Sequence, residues 1–215
     1  MDAEPEATEP DMPLKEHPLV RQAVDYLKDR GISYVSLLSE ISSAAAIGYA
    51  GINNRAAGRT AGYFMSRFLS ENKGKVAILC GSVLYRSHEE REMGFRSVIR
   101  ECSPNLEVLD LVISGDQAES DFAEVSRLLQ KLPDLKGIYS AGSGNRGVVQ
   151  ALIKRNRSLE VTVLAHNLTS FFRQYLLQGA VDLVIHQDME KAANRAIDLL
   201  LGRKFGHTQQ RIPLS

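Results

Sequence analysis

The 215-residue chain has no surplus of either charge: 26 lysines and arginines balance 26 aspartates and glutamates. Without a basic excess there is nothing to neutralise a phosphate backbone or hold an anionic membrane, so the chain alone is expected to bind DNA poorly. No apolar run approaches the roughly 20 residues that span a bilayer. The opening MDAEPEATEPDMP is acidic, unlike the basic-then-apolar start of a secretion signal. Cysteine is scarce too. Cys80, in an apolar strand, and Cys102, at a helix end, lack the spacing of a metal site or a disulfide framework. Both are expected to be core thiols, which suits a cytoplasmic location, and neither a metal nor a cofactor is expected.

What remains is the balance of an ordinary globular protein, 44% apolar and 24% charged. Residues 1–16 read as a disordered acidic tail, because prolines and acids with almost no large apolar side chain cannot offset their ordering entropy by burial. From Pro18, Leu19, Val20, Ala23, Val24 and Leu27 recur at helical spacing, with Gly31 past the end. A short strand is expected at Tyr34 to Leu38 and another at Tyr49 to Ile52. A helix capped by Asn53 or Asn54 follows, with Ala57, Ala61, Phe64, Met65, Phe68 and Leu69 inside. The alternation continues through VAILCG, LEVLDLVI, GIYSAG, VTVLAH and DLVIHQ, each followed by an amphipathic stretch. Such alternation implies an α/β fold, a Rossmann-like parallel sheet with helices on both faces.

In open parallel sheets ligands bind beyond the carboxyl ends of the strands. Those positions are polar throughout: Ser39 and Glu40, Tyr85 and Arg86, Ser114, Asp116 and Gln117, Ser140 and Ser143, His166 and Asn167, then His186, Gln187 and Asp188. Hydroxyls, amides and imidazole with little net charge suit a neutral polyhydroxylated ligand. The alternative is that loop ends are polar because they are solvated and cap helices. Arg91 carries more information. It stands on the apolar stripe of Phe95, Val98, Ile99 and Cys102, so it faces the sheet, either offering a fork of donors to a ligand or pairing with Glu89, Glu90 or Asp116.

Gly142 to Gly147 spells G-x-G-x-x-G, but it follows a late strand, and the next strand ends in His166 and Asn167 where a ribose-gripping acid belongs. His88, Glu89 and Glu90 do not make H-E-x-x-H, no G-x-S-x-G elbow occurs, and His88 and His186 read as exposed loop histidines. No enzyme is required by these residues. A nucleotide- or sugar-phosphate-using α/β enzyme built on the glycine loop is the less favoured reading.

In order, GINNRAAGRTAGYFMSRFL, GKVAILCGS, HEEREMGFRSVI, GIYSAGSGNRGVVQAL, VLAHNLT and DLVIHQD resemble the ligand-binding domain of lactose/galactose repressor (LacI/GalR) transcriptional regulators, from His17 to about Leu201. That family shares the type I periplasmic binding protein fold. The resemblance implies two lobes closing on a sugar, sugar alcohol or sugar acid, with ligand-binding residues among Ser39, Glu40, Tyr85, Glu89, Arg91, Gln117, Ser140, His166, Asn167 and Gln187. The family's usual acid is an amide at Asn167, its asparagine is Ser140, an arginine two residues before Arg91 is Glu89, and Leu38 stands at a frequent aspartate position.

The resemblance divides the chain into a first-lobe remnant at 17–52, a nearly complete second lobe at 53–205 and a crossover at 206–215. It implies a regulator fragment without the helix-turn-helix head of about sixty residues through which relatives bind DNA, and a homodimer is expected. A periplasmic sugar-binding component of a transporter is the alternative.

Overall fold

The computed structural model describes residues 18–69, 73–115, 117–142 and 146–202. The expected tail at 1–16, the crossover at 206–215, Asp116, and Ser143, Gly144 and Asn145 of the glycine motif lie outside the described residues.

Helix α1 (Pro18–Asp29) opens on proline and is followed by Gly31 at φ +66°. None of its side chains is buried. Strands β1 (Tyr34–Leu37) and β2 (Ala46–Ala50) pair in parallel as a two-stranded sheet. No helix separates them, so the strict alternation expected from the sequence fails here; β2 also ends at Ala50 rather than running to Ile52.

Helix α2 (Asn54–Phe68) is capped as expected, the Asn53 side chain accepting from Ala56 N at 3.1 Å. Ala57, Ala61 and Met65 are buried. Phe68, expected inside, is 45% exposed. The buried stripe is turned because α2 gives a glycine edge to helix α3 (Arg86–Cys102): a Cβ on Gly58 would lie 2.0 Å from the Arg91 carbonyl oxygen, and one on Gly94 2.2 Å from that of Arg55. Only bare backbone fits between helices this close. Cys102, expected in the core, is exposed on the last turn of α3, whereas Cys80 is buried.

The large sheet contains β3 (Gly74–Cys80), β4 (Leu106–Val108), β5 (Val112–Ile113), β6 (Leu135–Ser140), β7 (Thr162–His166) and β8 (Leu183–Ile185). All are parallel, in the order β4-β3-β6-β7-β8 with β5 also on β3. The expected single strand LEVLDLVI is therefore two. Its break is held by Arg96, whose guanidinium donates to the carbonyls of Val108 and Leu109 at 3.3 and 2.7 Å, leaving those oxygens satisfied without a ladder partner.

Helices α2 and α3 cover one face over Ile78, Tyr139, Leu164 and Ile185. Helices α4 (Ala118–Lys131), α5 (Arg146–Lys154) and α6 (Ser170–Leu177) cover the other over Ala77, Ile138, Val163 and Ala165. The fold is thus the expected α/β sheet with helices on both faces. Helix α7 (Met189–Leu200) turns back onto the two-stranded sheet: a Cβ on Gly48 would stand 3.1 Å from Leu199 Cδ1. Among the described residues no helix is long and apolar enough to cross a membrane.

Candidate functional site

In this strand order the chain leaves β3 in both directions, to β4 on one side and β6 on the other. Such a switch point opens a crevice between neighbouring strand ends. Arg91 fills it. Carried on the sheet-facing side of α3 and buried, it donates from Nε to Asn54 Oδ1 at 2.9 Å and from Nη1 to the Ala141 carbonyl, just past β6, at 2.7 Å. Both of these acceptors are neutral; of the acids considered as ion-pair partners, Asp116 lies outside the described residues.

Beside it, His166 ends β7 with no exposed surface, and the Tyr139 hydroxyl lies 2.8 Å from its Nε2. Burial holds the Tyr139 phenol well above its ordinary range, against the opposing pull of Arg91. Burial also pushes the His166 imidazole well below its usual value, helped by the Arg91 and His88 charges. Both groups are neutral, and in the tautomer where the phenol donates to Nε2 the imidazole proton sits on Nδ1. That Nδ1 has no partner among the described residues.

Asn167 follows at φ +66°, a conformation asparagine tolerates better than most side chains. Its Oδ1 accepts from Gln187 Nε2 at 2.9 Å, tying the ends of β7 and β8 together. Gln187 is 5% exposed, and its Oε1 is a second buried atom without a partner. Buried polar atoms are almost always matched, yet His166 Nδ1 and Gln187 Oε1, on adjoining strand ends, have no partner among the described residues.

The structure brings Arg91, His166, Asn167 and Gln187 together. Ser140 is buried beside them, but strand alternation turns it toward the face of Ile138; the Ala141 carbonyl is what meets Arg91. Ser39, Glu40 and Tyr85 gather at the start of α3: Ser39 Oγ accepts from Ser87 N at 3.4 Å, Glu40 approaches Arg86 at 3.8 Å, and the Tyr85 ring lies 5.0 Å from His88. Glu89 is exposed on the outer side of α3. Gln117 is exposed at the start of α4, and no hydrogen bond joins it to the other candidates.

Sequence reasoning missed Asn54, Tyr49 and His88. Asn54 is 2% exposed and bridges Arg91 to the Tyr49 hydroxyl and the Leu38 carbonyl, at 3.1 and 3.3 Å from its Nδ2. The signal was the doubled asparagine: one amide caps α2, so the other is free for a different task. His88, read as an exposed loop histidine, is buried in α3, its Nδ1 donating to the Ser82 carbonyl at 3.1 Å. His186 Nδ1 accepts from Leu168 N. Among the described residues no cluster of three or more His, Cys, Asp or Glu could hold a metal.

The glycine motif serves packing at its last position. A Cβ on Gly147 would lie 1.9 Å from the Ala118 carbonyl, so this glycine lets α5 lie against α4. Leu38 is the other strained point, at φ +64°, held by its amide on Ala50 and by the Tyr49 hydroxyl on its carbonyl, each at 2.9 Å.

Three findings place the chain among known proteins. No curated protein sequence matches it. Solved structures are similar in fold. A glucose-galactose binding protein from Geobacillus stearothermophilus aligns at TM-score 0.81 and 18% identity, over 94% of this chain and 72% of that one. An arabinose binding protein from the same organism aligns at 0.71 and 23%, over 85% and 63%. An ABC transporter solute-binding protein from Agrobacterium vitis, bound with α-D-tagatopyranose, aligns at 0.79 and 19%, over 90% and 68%. The chain therefore spans less than two thirds of the arabinose binding protein's length. A family described as a periplasmic binding protein domain matches residues 15–204, and with every described residue inside that match, this protein belongs to the periplasmic binding protein domain family.

Proposed function

We propose that the chain is the effector-sensing domain of a LacI-type transcriptional regulator, binding a sugar, sugar alcohol or sugar acid at the Arg91 crevice without chemical conversion. The observation that carries the reading is the pair of stranded buried atoms, His166 Nδ1 and Gln187 Oε1. A ligand hydroxyl accepts from the first and donates to the second, and a polyol presents several such groups at once. Arg91 adds a charged donor in a site largely closed to water, where it acts more strongly than at a surface. In this reading the regulator is cytoplasmic and homodimeric, and it reaches DNA through a separate head; ligand favours one lobe arrangement and so biases the fit to an operator. The segment RAAGRTAG and two cysteines free of any disulfide support a regulator in a reducing compartment.

The second reading, a transporter's periplasmic sugar-binding component, is favoured by the similar solved structures, among them sugar-binding proteins of transporters. Cell fractionation of the native protein separates the two, and recovery from the periplasm would end the regulator reading. The binding site itself is tested by thermal shift against sugars, sugar alcohols, sugar acids and nucleotides. A sugar-class ligand is expected to raise the midpoint by mass action, and Arg91→Ala and Asn167→Ala are each expected to remove that rise. A response to nucleotides alone would instead favour an enzyme at the glycine loop.

A further inference from the structure

A second concavity of about 430 Å³ lies away from the strand ends, between α2, the outer side of α3 and the edge strand β4. Its volume falls within the range typical of small-molecule sites. The floor includes Ile99 and Leu106, both buried, and Met93 forms part of the wall. Three arginines, Arg55, Arg96 and Arg100, line it, and no carboxylate does.

These arginines differ. Arg96 is spoken for: it pairs with Glu92 at 2.8 Å and holds the two carbonyls at the strand break. Arg55 and Arg100 have no hydrogen-bond or ion-pair partner among the described residues, although Arg59, one turn along α2 from Arg55, bridges to Glu101 at 3.2 Å. Arg55 is brought to this wall by Gly94, whose missing side chain lets the first turn of α2 rest on α3. Two uncommitted guanidiniums converge on an apolar floor, with a third fixed cation alongside. Like charges lining one concavity repel, and an anion seated among them relieves the repulsion while gaining charge-assisted hydrogen bonds.

We infer that this groove is a second ligand site, taking a small amphipathic anion: a phosphate or carboxylate head on a compact apolar body. The head meets Arg55 and Arg100, and the body covers Ile99, Leu106 and Met93. The inference stands independently of the sugar reading, since it uses no residue of the Arg91 crevice.

The test is calorimetric titration of the whole chain with phenyl phosphate, inorganic phosphate and benzyl alcohol. Phenyl phosphate is expected to bind saturably, about tenfold or more tighter than either half-molecule, and to weaken with added salt. The Arg55→Ala/Arg100→Ala double variant should weaken it by a further factor of about ten or more, while Arg127→Ala, which removes one positive charge on α4, should leave it unchanged. Both altered arginines are exposed, so the fold is expected to survive, and Arg100→Glu provides a second check with the same expected loss. With methyl-labelled methionine, the Met93 signal should move on titration while that of Met65, in the core, stays. Binding that persists in the double variant, a silent Met93, inorganic phosphate binding as tightly as phenyl phosphate, or no saturable binding would each overturn the proposal.

Discussion

The two sheets of this protein are stabilised in different ways. In the large one, β6 is buried at every position but Lys136, the last five residues of β3 are buried, and two separate apolar layers fill the space under the helices. In the small one, the single buried residue of β1 is the polar Ser36, α1 buries nothing, and α7 buries only Ala192. The large sheet carries its own core. The small one is held by docking and by polar ties at its rim, among them the Tyr49 and Asn54 bonds to Leu38. The difference teaches where sequence change is tolerated and where it is not.

The sharpest way to break the contrast is Gly58→Val. The new Cβ would meet backbone, which cannot swing aside, so a stability loss of about 3 kcal/mol or more is expected from urea unfolding. A loss below about 1 kcal/mol would show that α2 and α3 are not packed this closely. A middle-sized effect comes from pH. His166 has its proton affinity lowered on folding, so the unfolded chain binds the extra proton more readily as pH falls below the ordinary value of 6.5. Stability is then complete above 6.5 and declines below it, by up to about 1.4 kcal/mol per pH unit. His166→Gln should flatten that part of the curve, and an unchanged slope would remove His166 as its source. The smallest effect is expected in the small sheet. Leu37→Ala, at a position 45% exposed, should change stability by about 0.5 kcal/mol or less. A loss of about 2 kcal/mol would place Leu37 in a real core and erase the contrast.

Much of this was legible in the sequence, for reasons that differ by region. The strands of the large sheet read clearly because burial on both faces makes them continuous apolar runs, and Arg91 read clearly because a charge on an apolar stripe is conspicuous. The strand break at Leu109 was hidden, since the arginine that holds it lies on a helix and bonds to carbonyls that no sequence pattern reports. Phe68 was misplaced because its helix is turned by glycines, whose role is to let something else approach. Asn54 and His88 were missed because their partners, Arg91 and a loop carbonyl, are distant in sequence or carry no side-chain signature. The strain at Leu38 was invisible too, as leucine gives no hint of a left-handed backbone.

The return of α7 to the two-stranded sheet has a mechanical consequence. The chain passes between the two sheets only twice in the described residues, once where β2 leads into α2 and once where β8 leads into α7. Two covalent crossings define a line, as two pins define the axis of a door. Rotation about that line changes the length of neither crossing, whereas sliding or twisting the sheets apart strains at least one. A swing about that line is the relative movement that leaves both described crossings unstrained. Asn54 sits directly after the first pin and Gln187 and Asn167 beside the second, so these polar side chains lie next to that line, where a small displacement corresponds to a large arc at the far edges of the sheets.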